Sequence, residues 1–165
     1  MAQNKDVEVI SAPNMLQIKV GGPISQGDLH MIEKAEEALK DMRGEFGQWL
    51  EEEVVKLEAA AKIVRETGLK GSEGEDLFVR AHDLRGLGTT YEFPIVTRLA
   101  KSLTKMIDMP EKRQQASTAL ALAHVGAIRA ALSQNIRDDN DPVAAALAGE
   151  LETQTAAFAE PWKDD

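Results

Sequence analysis

The residues of this chain best suited to chemistry surround one histidine, in the run RAHDLRGLGTTYEF. At about 100° per residue, Leu77, Ala81, Leu84, Gly88 and Tyr91 gather on one side of a helix, and His82 lies roughly 130° from their centre. Its imidazole therefore faces water or a partner. Arg85, three residues on, shares that face and offers a planar fork of donors suited to phosphate oxygens. Gly86 sits inside the same helix, where glycine costs about 1 kcal/mol relative to alanine, so its presence suggests that something approaches closely. Phe78, Val79 and Thr89 also point outward, and an apolar rim of this kind is wasteful unless covered. A nucleophilic ring, a fork of donors and an open glycine describe a site at which another protein does chemistry.

The other candidates are weaker. His30 stands alone near a helix start, and His124 lies in an alanine-rich stretch beside core positions and reads as a half-buried, satisfied histidine. No pair of histidines has metal-ligand spacing, and with no cysteine in the chain thiolate chemistry and cysteine-based zinc sites are excluded. The DDNDP run at Asp138 invites a calcium loop. That loop needs glycine at its sixth position and glutamate at its twelfth, where this chain has Val143 and Gly149, so a turn and a helix cap are expected instead. Gly68, Gly71 and Gly74 lack the Gly-Lys-Ser/Thr ending of a phosphate loop, so no ATP site is expected.

The 165 residues suit one domain with an arm, and the wealth of Ala, Leu, Glu and Lys with few aromatics favours helices throughout. The net charge of −9 argues against nucleic acid as a partner. Between Leu77 and Ile107, however, five cations (Arg80, Arg85, Arg98, Lys101, Lys105) face two anions (Asp83, Glu92), which is +3 and leaves −12 for the remainder. The locally basic stretch is the one that holds His82, and it would steer an acidic or phosphorylated partner. No apolar run approaches the roughly 20 residues that span a bilayer, and the start lacks a signal-peptide core, so a cytoplasmic, membrane-free chain is expected.

Residues 1–24 read as an extended arm closed by Gly21-Gly22-Pro23. Ser25 or Asp28 caps a long helix to about Arg65, whose apolar stripe runs from Leu29 and Ile32 through Leu39, Met42, Phe46, Trp49, Leu50, Val54, Leu57 and Ala61 to Val64. Gly44 and Gly47 bend it or split it into two nearly collinear helices. Thr67-Gly68 ends it, and Ser72 or Glu73 leads into the His82 helix. Glu92-Phe93-Pro94 marks a boundary, after which Pro94 opens a helix with Ile95, Leu99, Leu103, Met106 and Ile107 inward. A long helix over about 111–136 and a last one over about 142–159 follow, and PWKDD reads as a frayed acidic tail. Five or six helices joined by short loops predict an elongated, antiparallel up-and-down bundle.

HDLRGLGTTYEF resembles the signature of histidine-containing phosphotransfer (Hpt) domains: His, any residue, an aliphatic, Lys or Arg, then Gly, here His82, Asp83, Leu84, Arg85 and Gly86. The likeness extends over about residues 46–136, leaving the arm and the helix from Asp28 outside it. The family most often has lysine where this chain has Arg85, and smaller residues after the glycine. The resemblance implies an all-α, Hpt-like four-helix bundle over residues 25–165, with an additional N-terminal helix and arm and a C-terminal helix. It implies a relay intermediate rather than an enzyme: His82 accepts a phosphoryl group from a response-regulator receiver aspartate and passes it to another. Arg85 steadies the phosphoryl oxygens, and Phe78, Val79, Gly86 and Thr89 dock the receiver. The chain brings no cofactor, Mg²⁺ being expected from the receiver. The implied partners are receiver domains, with a hybrid sensor kinase as a further candidate, and the implied state is a monomer. The rival expectation is a non-phosphorylated helical adaptor or dimerising module, in which the long stripe from Asp28 pairs with another chain.

Overall fold

The computed structural model describes residues 25–162, and these are all-helical, as composition and periodicity predict. The arm expected over residues 1–24 lies outside the described residues. Six α-helices follow in order: α1 (Gln26–Thr67), α2 (Ser72–Thr90), α3 (Pro94–Ile107), α4 (Pro110–Gln115), α5 (Thr118–Ser133) and α6 (Pro142–Ala159), with a single 3-10 turn at Glu160–Trp162. The chain divides into two compact units, Met1–Lys40 and Asp41–Asp165, and α1 contributes residues to both. No helix among the described residues is long and apolar enough to cross a membrane.

Local chemistry sets the ends. Ser25 and Asp28 form a reciprocal cap: the Ser25 hydroxyl accepts from the Asp28 amide at 3.2 Å, and the Asp28 carboxylate accepts from the Ser25 amide at 2.9 Å. Those bonds from Ser25 hold the Asp28 carboxyl below its ordinary range. The helix runs unbroken through Gly44 and Gly47 to Gly68, whose φ of +82° and amide bond to the Val64 carbonyl stop it. At the end of α2 the left-handed position falls on Glu92 (φ 63°), where a side chain is disfavoured. Its carboxylate is held by Arg43 at 2.9 Å and Arg137 at 3.2 Å, and these charge-assisted bonds offset the backbone cost.

The helix expected over 111–136 is two helices. Ala116 is extended (ψ 142°), and the Ser117 hydroxyl accepts from the Leu120 amide at 3.2 Å, so a residue that competes for backbone bonds starts α5 rather than continuing α4. The break lets α4 fold back on the end of α3, where Arg113 donates to the Ile107 carbonyl at 2.8 Å and Lys112 to the Lys105 carbonyl at 3.3 Å. Buried cations thereby satisfy carbonyls that the end of α3 leaves open. At its far end α5 stops at Ser133, short of the expected Ile136, because Asn135 takes φ 52° and the Ile136 amide turns back to the Ala131 carbonyl. Pro161 and Trp162, expected in a frayed tail, belong to the 3-10 turn.

In the unit from Asp41 the centre is α3, which packs against α2, α4, α5 and α6. Its Val96, Ala100, Leu103, Met106 and Ile107 are sealed from solvent, together with Leu77, Ala81 and Leu84 of α2, Leu50, Val54, Leu57 and Val64 of α1, and Ile128 of α5. Arg129 of α5 bridges Glu51 and Glu58 of α1. The closest helix approach is α2 against α3 at Gly88. A Cβ there would stand 2.6 Å from the Thr97 hydroxyl and 2.7 Å from the Thr97 amide, whereas a Cβ on Gly86 would meet nothing within 4 Å.

Two glycines of one helix therefore answer oppositely to alanine. Gly88→Ala is expected to cost about 1–3 kcal/mol by overpacking, while Gly86→Ala stabilises by about 0.5–1 kcal/mol through helix propensity. Urea unfolding midpoints of the two variants against the parent check both signs.

Candidate functional site

The spacing that buries Leu77, Ala81, Leu84 and Gly88 turns His82, Arg85, Gly86 and Thr89 outward, and all four are exposed. Val79 is 43 % exposed, as expected of a rim residue. Phe78 is only half outward: part of its ring packs on the core, and its centroid lies 5.9 Å from that of His82. It is a wall beside the imidazole rather than a free surface. The Thr89 hydroxyl lies 3.0 Å from that of Thr97, which accepts from the Thr89 amide at 2.8 Å. Thr89 thus clips α2 to α3 as well as standing at the surface.

The His82 ring has a defined partner. Arg85 Nη2 lies 3.2 Å from His82 Nε2. A guanidinium can only donate, so Nε2 must accept. That requires the tautomer with its proton on Nδ1 and its lone pair on Nε2. Arg85 therefore holds the ring in one orientation and one tautomer before any ligand arrives.

The register of α2 against α3 supplies what reading a single helix missed. With Gly88 against Thr97, the two helices run past each other so that Phe78, His82 and Arg85 share an open groove with Lys101, Thr104, Lys105 and Asp108. Lys101 and Lys105 are one turn apart on the exposed face of α3. Asp108, the groove's anion, is bound by Lys112 at 2.8 Å. Arg98 is held by Glu152 and Asp139, Arg137 by Glu92, and Arg129 by two glutamates, whereas among the described residues Arg85, Lys101 and Lys105 have no carboxylate within 4 Å. The +3 read from composition thus condenses into a groove beside the histidine. The excess of cations in the stretch was legible; that two of its lysines share a groove with His82 depends on the register.

The other histidines occupy different ground. His30 is exposed, 3.8 Å from Glu33. His124 is fully rather than half buried: Nδ1 donates to the Leu120 carbonyl at 2.8 Å, and Nε2 accepts from the Ser102 hydroxyl at 2.9 Å, itself 3.1 Å from the Thr155 hydroxyl. This network ties α3, α5 and α6. In the DDNDP run, Asp138 accepts from the Asn140 amide, Asp139 binds Arg98 and Asp141 caps α6. Among the described residues no three His, Asp or Glu side chains gather as a metal site.

Compared with protein-family models, curated proteins and solved structures, the chain finds no match.

Two measurements check the contrast between the histidines. In the ¹⁵N spectrum at pH above 7, His82 is expected to show a protonated Nδ1 and a bare Nε2, and Arg85→Ala to let the tautomers mix. For His124, burial pushes the imidazole below its ordinary range, so the unfolded chain takes up the proton first. Its contribution to stability is complete above pH about 6.5 and drains away as pH falls below it. Thermal midpoints between pH 8 and 5 should fall accordingly, with a flatter slope in His124→Gln.

Proposed function

We infer that the chain is a histidine phosphotransfer protein, in which His82 carries a phosphoryl group between receiver aspartates of a cytoplasmic two-component phosphorelay. One observation carries the reading: an exposed imidazole, whose Nε2 is held by the Arg85 guanidinium, opens on a groove lined by Lys101 and Lys105, neither with a carboxylate within 4 Å among the described residues. The resemblance of His82 to Gly86 to the Hpt signature points the same way. Gly86 adds weight, because the fold leaves its surroundings empty and gains nothing from a glycine there.

The transfer balances simply. The Nε2 lone pair attacks the phosphorus of a receiver's aspartyl phosphate; the acyl P–O bond breaks and the aspartate leaves as carboxylate. The ring keeps its Nδ1 proton and becomes cationic, then sheds that proton to water. The second transfer reverses these bonds onto another receiver's aspartate. Mg²⁺ held by the receiver's own carboxylates supplies charge neutralisation at the phosphoryl group, and positioning does most of the remainder. On this side Arg85 turns from Nε2 to the phosphoryl oxygens, Phe78 and Val79 form the apolar docking rim, Gly86 leaves room for the receiver's loops, and Thr89 borders them. The chain has no step of its own with ATP. The C-terminal half of α1 with α2, α3 and α5 would be the four antiparallel helices of an Hpt-like bundle, and their shared core and the Arg129 bridge support that arrangement.

A second reading is favoured by the first half of α1, where Leu29, Ile32 and Leu39 are 50, 46 and 55 % exposed at helical spacing. Such a row suits a dimerising or adaptor module that pairs with a second copy, with His82 incidental.

The experiment incubates the chain with a panel of phosphorylated receivers. Wild type is expected to acquire an acid-labile label within seconds to minutes, His82→Gln none, and Gly86→Leu a rate at least tenfold lower with its helical signal unchanged. A folded wild type that no receiver labels would return the argument to the adaptor.

A further inference from the structure

We propose that Lys101 and Lys105 form the second wall of a seat for a phosphoryl dianion, so that the groove favours retention of the group on His82 over its return to the receiver. The proposal rests on the phosphotransfer reading and adds its energetic direction.

The argument starts from register. Gly88 meets Thr97, and each helical step back along α2 is matched by a step forward along α3, which brings His82 to the level of Thr104, between Lys101 and Lys105. Both lysines line the groove together with His82. Asp108 is answered by Lys112. Glu152, toward α6, is held bidentately by Arg98 at 2.7 and 2.8 Å, with Lys101 acting on it from a distance. Arg85 bonds to the imidazole itself. Lys105 has no carboxylate within 4 Å among the described residues, and neither has Lys101. An unphosphorylated groove therefore gathers Arg85, Lys101 and Lys105 with only Asp108, already bound by Lys112, and the more distant Glu152 to offset them, which is unfavourable. Phosphorylation of Nε2 places two negative charges among them and relieves that repulsion. The empty groove is destabilised, the loaded one is not, and the difference appears in the transfer equilibrium.

That equilibrium is the informative readout, because the partition of phosphoryl between two free proteins depends only on their relative stabilities and not on how well they dock. In the test, His82 is loaded from a phosphorylated receiver and, separately, from phosphoramidate, where the P–N bond to ammonia breaks as the Nε2–P bond forms. Phosphohistidine and aspartyl phosphate are quantified at equilibrium. Lys101→Gln/Lys105→Gln is expected to shift the partition toward the receiver by about three- to tenfold at low salt, less at 0.5 M salt, and Lys101→Arg/Lys105→Arg to restore it. Circular dichroism confirms that the variants are folded. A wild type labelled at His82 with an unchanged partition in the glutamine pair overturns the seat and leaves the relay standing. A folded wild type labelled by neither donor overturns both.

Discussion

The close approach of α2 and α3 at Gly88 is the constraint on which the candidate site depends. The Thr97 amide and hydroxyl occupy the space where a side chain on residue 88 would stand, and the Thr89 amide bonds to that hydroxyl. The contact does two things at once. It packs the most buried helix of the unit against the helix that carries His82, and it fixes their relative slide. A slide of one turn would carry one of Lys101 and Lys105 away from the imidazole and break up the groove that both line. A glycine thus sets the composition of the groove, while its neighbour Gly86 is exposed and a Cβ there would meet nothing within 4 Å.

Electrostatics divide along the same line. Several cations serve the architecture: Arg129 joins α5 to α1, Arg98 joins α3 to α6 and the loop before it, Arg137 and Arg43 restrain Glu92, and Lys112 and Arg113 close the end of α3. These pairs are partly exposed, and each adds little stability by itself; their effect is to fix geometry. Arg85, Lys101 and Lys105, which have no carboxylate within 4 Å among the described residues, line the groove beside His82. A chain of net charge −9 thus carries a cluster of three cations in the groove of its exposed histidine. Two imidazoles mark the contrast. His124 is sealed and bonded at both nitrogens, so burial favours its neutral form and it acts as a polar joint. His82 has water on one side and a guanidinium on the other, and it keeps a nitrogen accessible to a partner.

The sequence by itself determined everything governed by the helical repeat and by capping. The sides of α2 and α3 that face the core, the proline start of α3, the glycine stop at Gly68, the Ser25–Asp28 cap and the exposure of His82, Arg85 and Gly86 could all be read from neighbours within four residues, because helix amphipathicity and end chemistry are local. Even the break at Ser117 had a local signal, a Ser-Thr pair inside an alanine-rich run, which a reading by apolar spacing alone passes over. Only the tertiary structure decided which helix faces lie against one another. That Lys101 and Lys105 stand across from His82, that Phe78 is half core, that Gly88 has no room for a side chain against Thr97 and that His124 is bonded to Ser102 beside Thr155 all depend on the slide and separation of helices far apart in sequence. These are set by the packing of many side chains together, and no short stretch of residues encodes them.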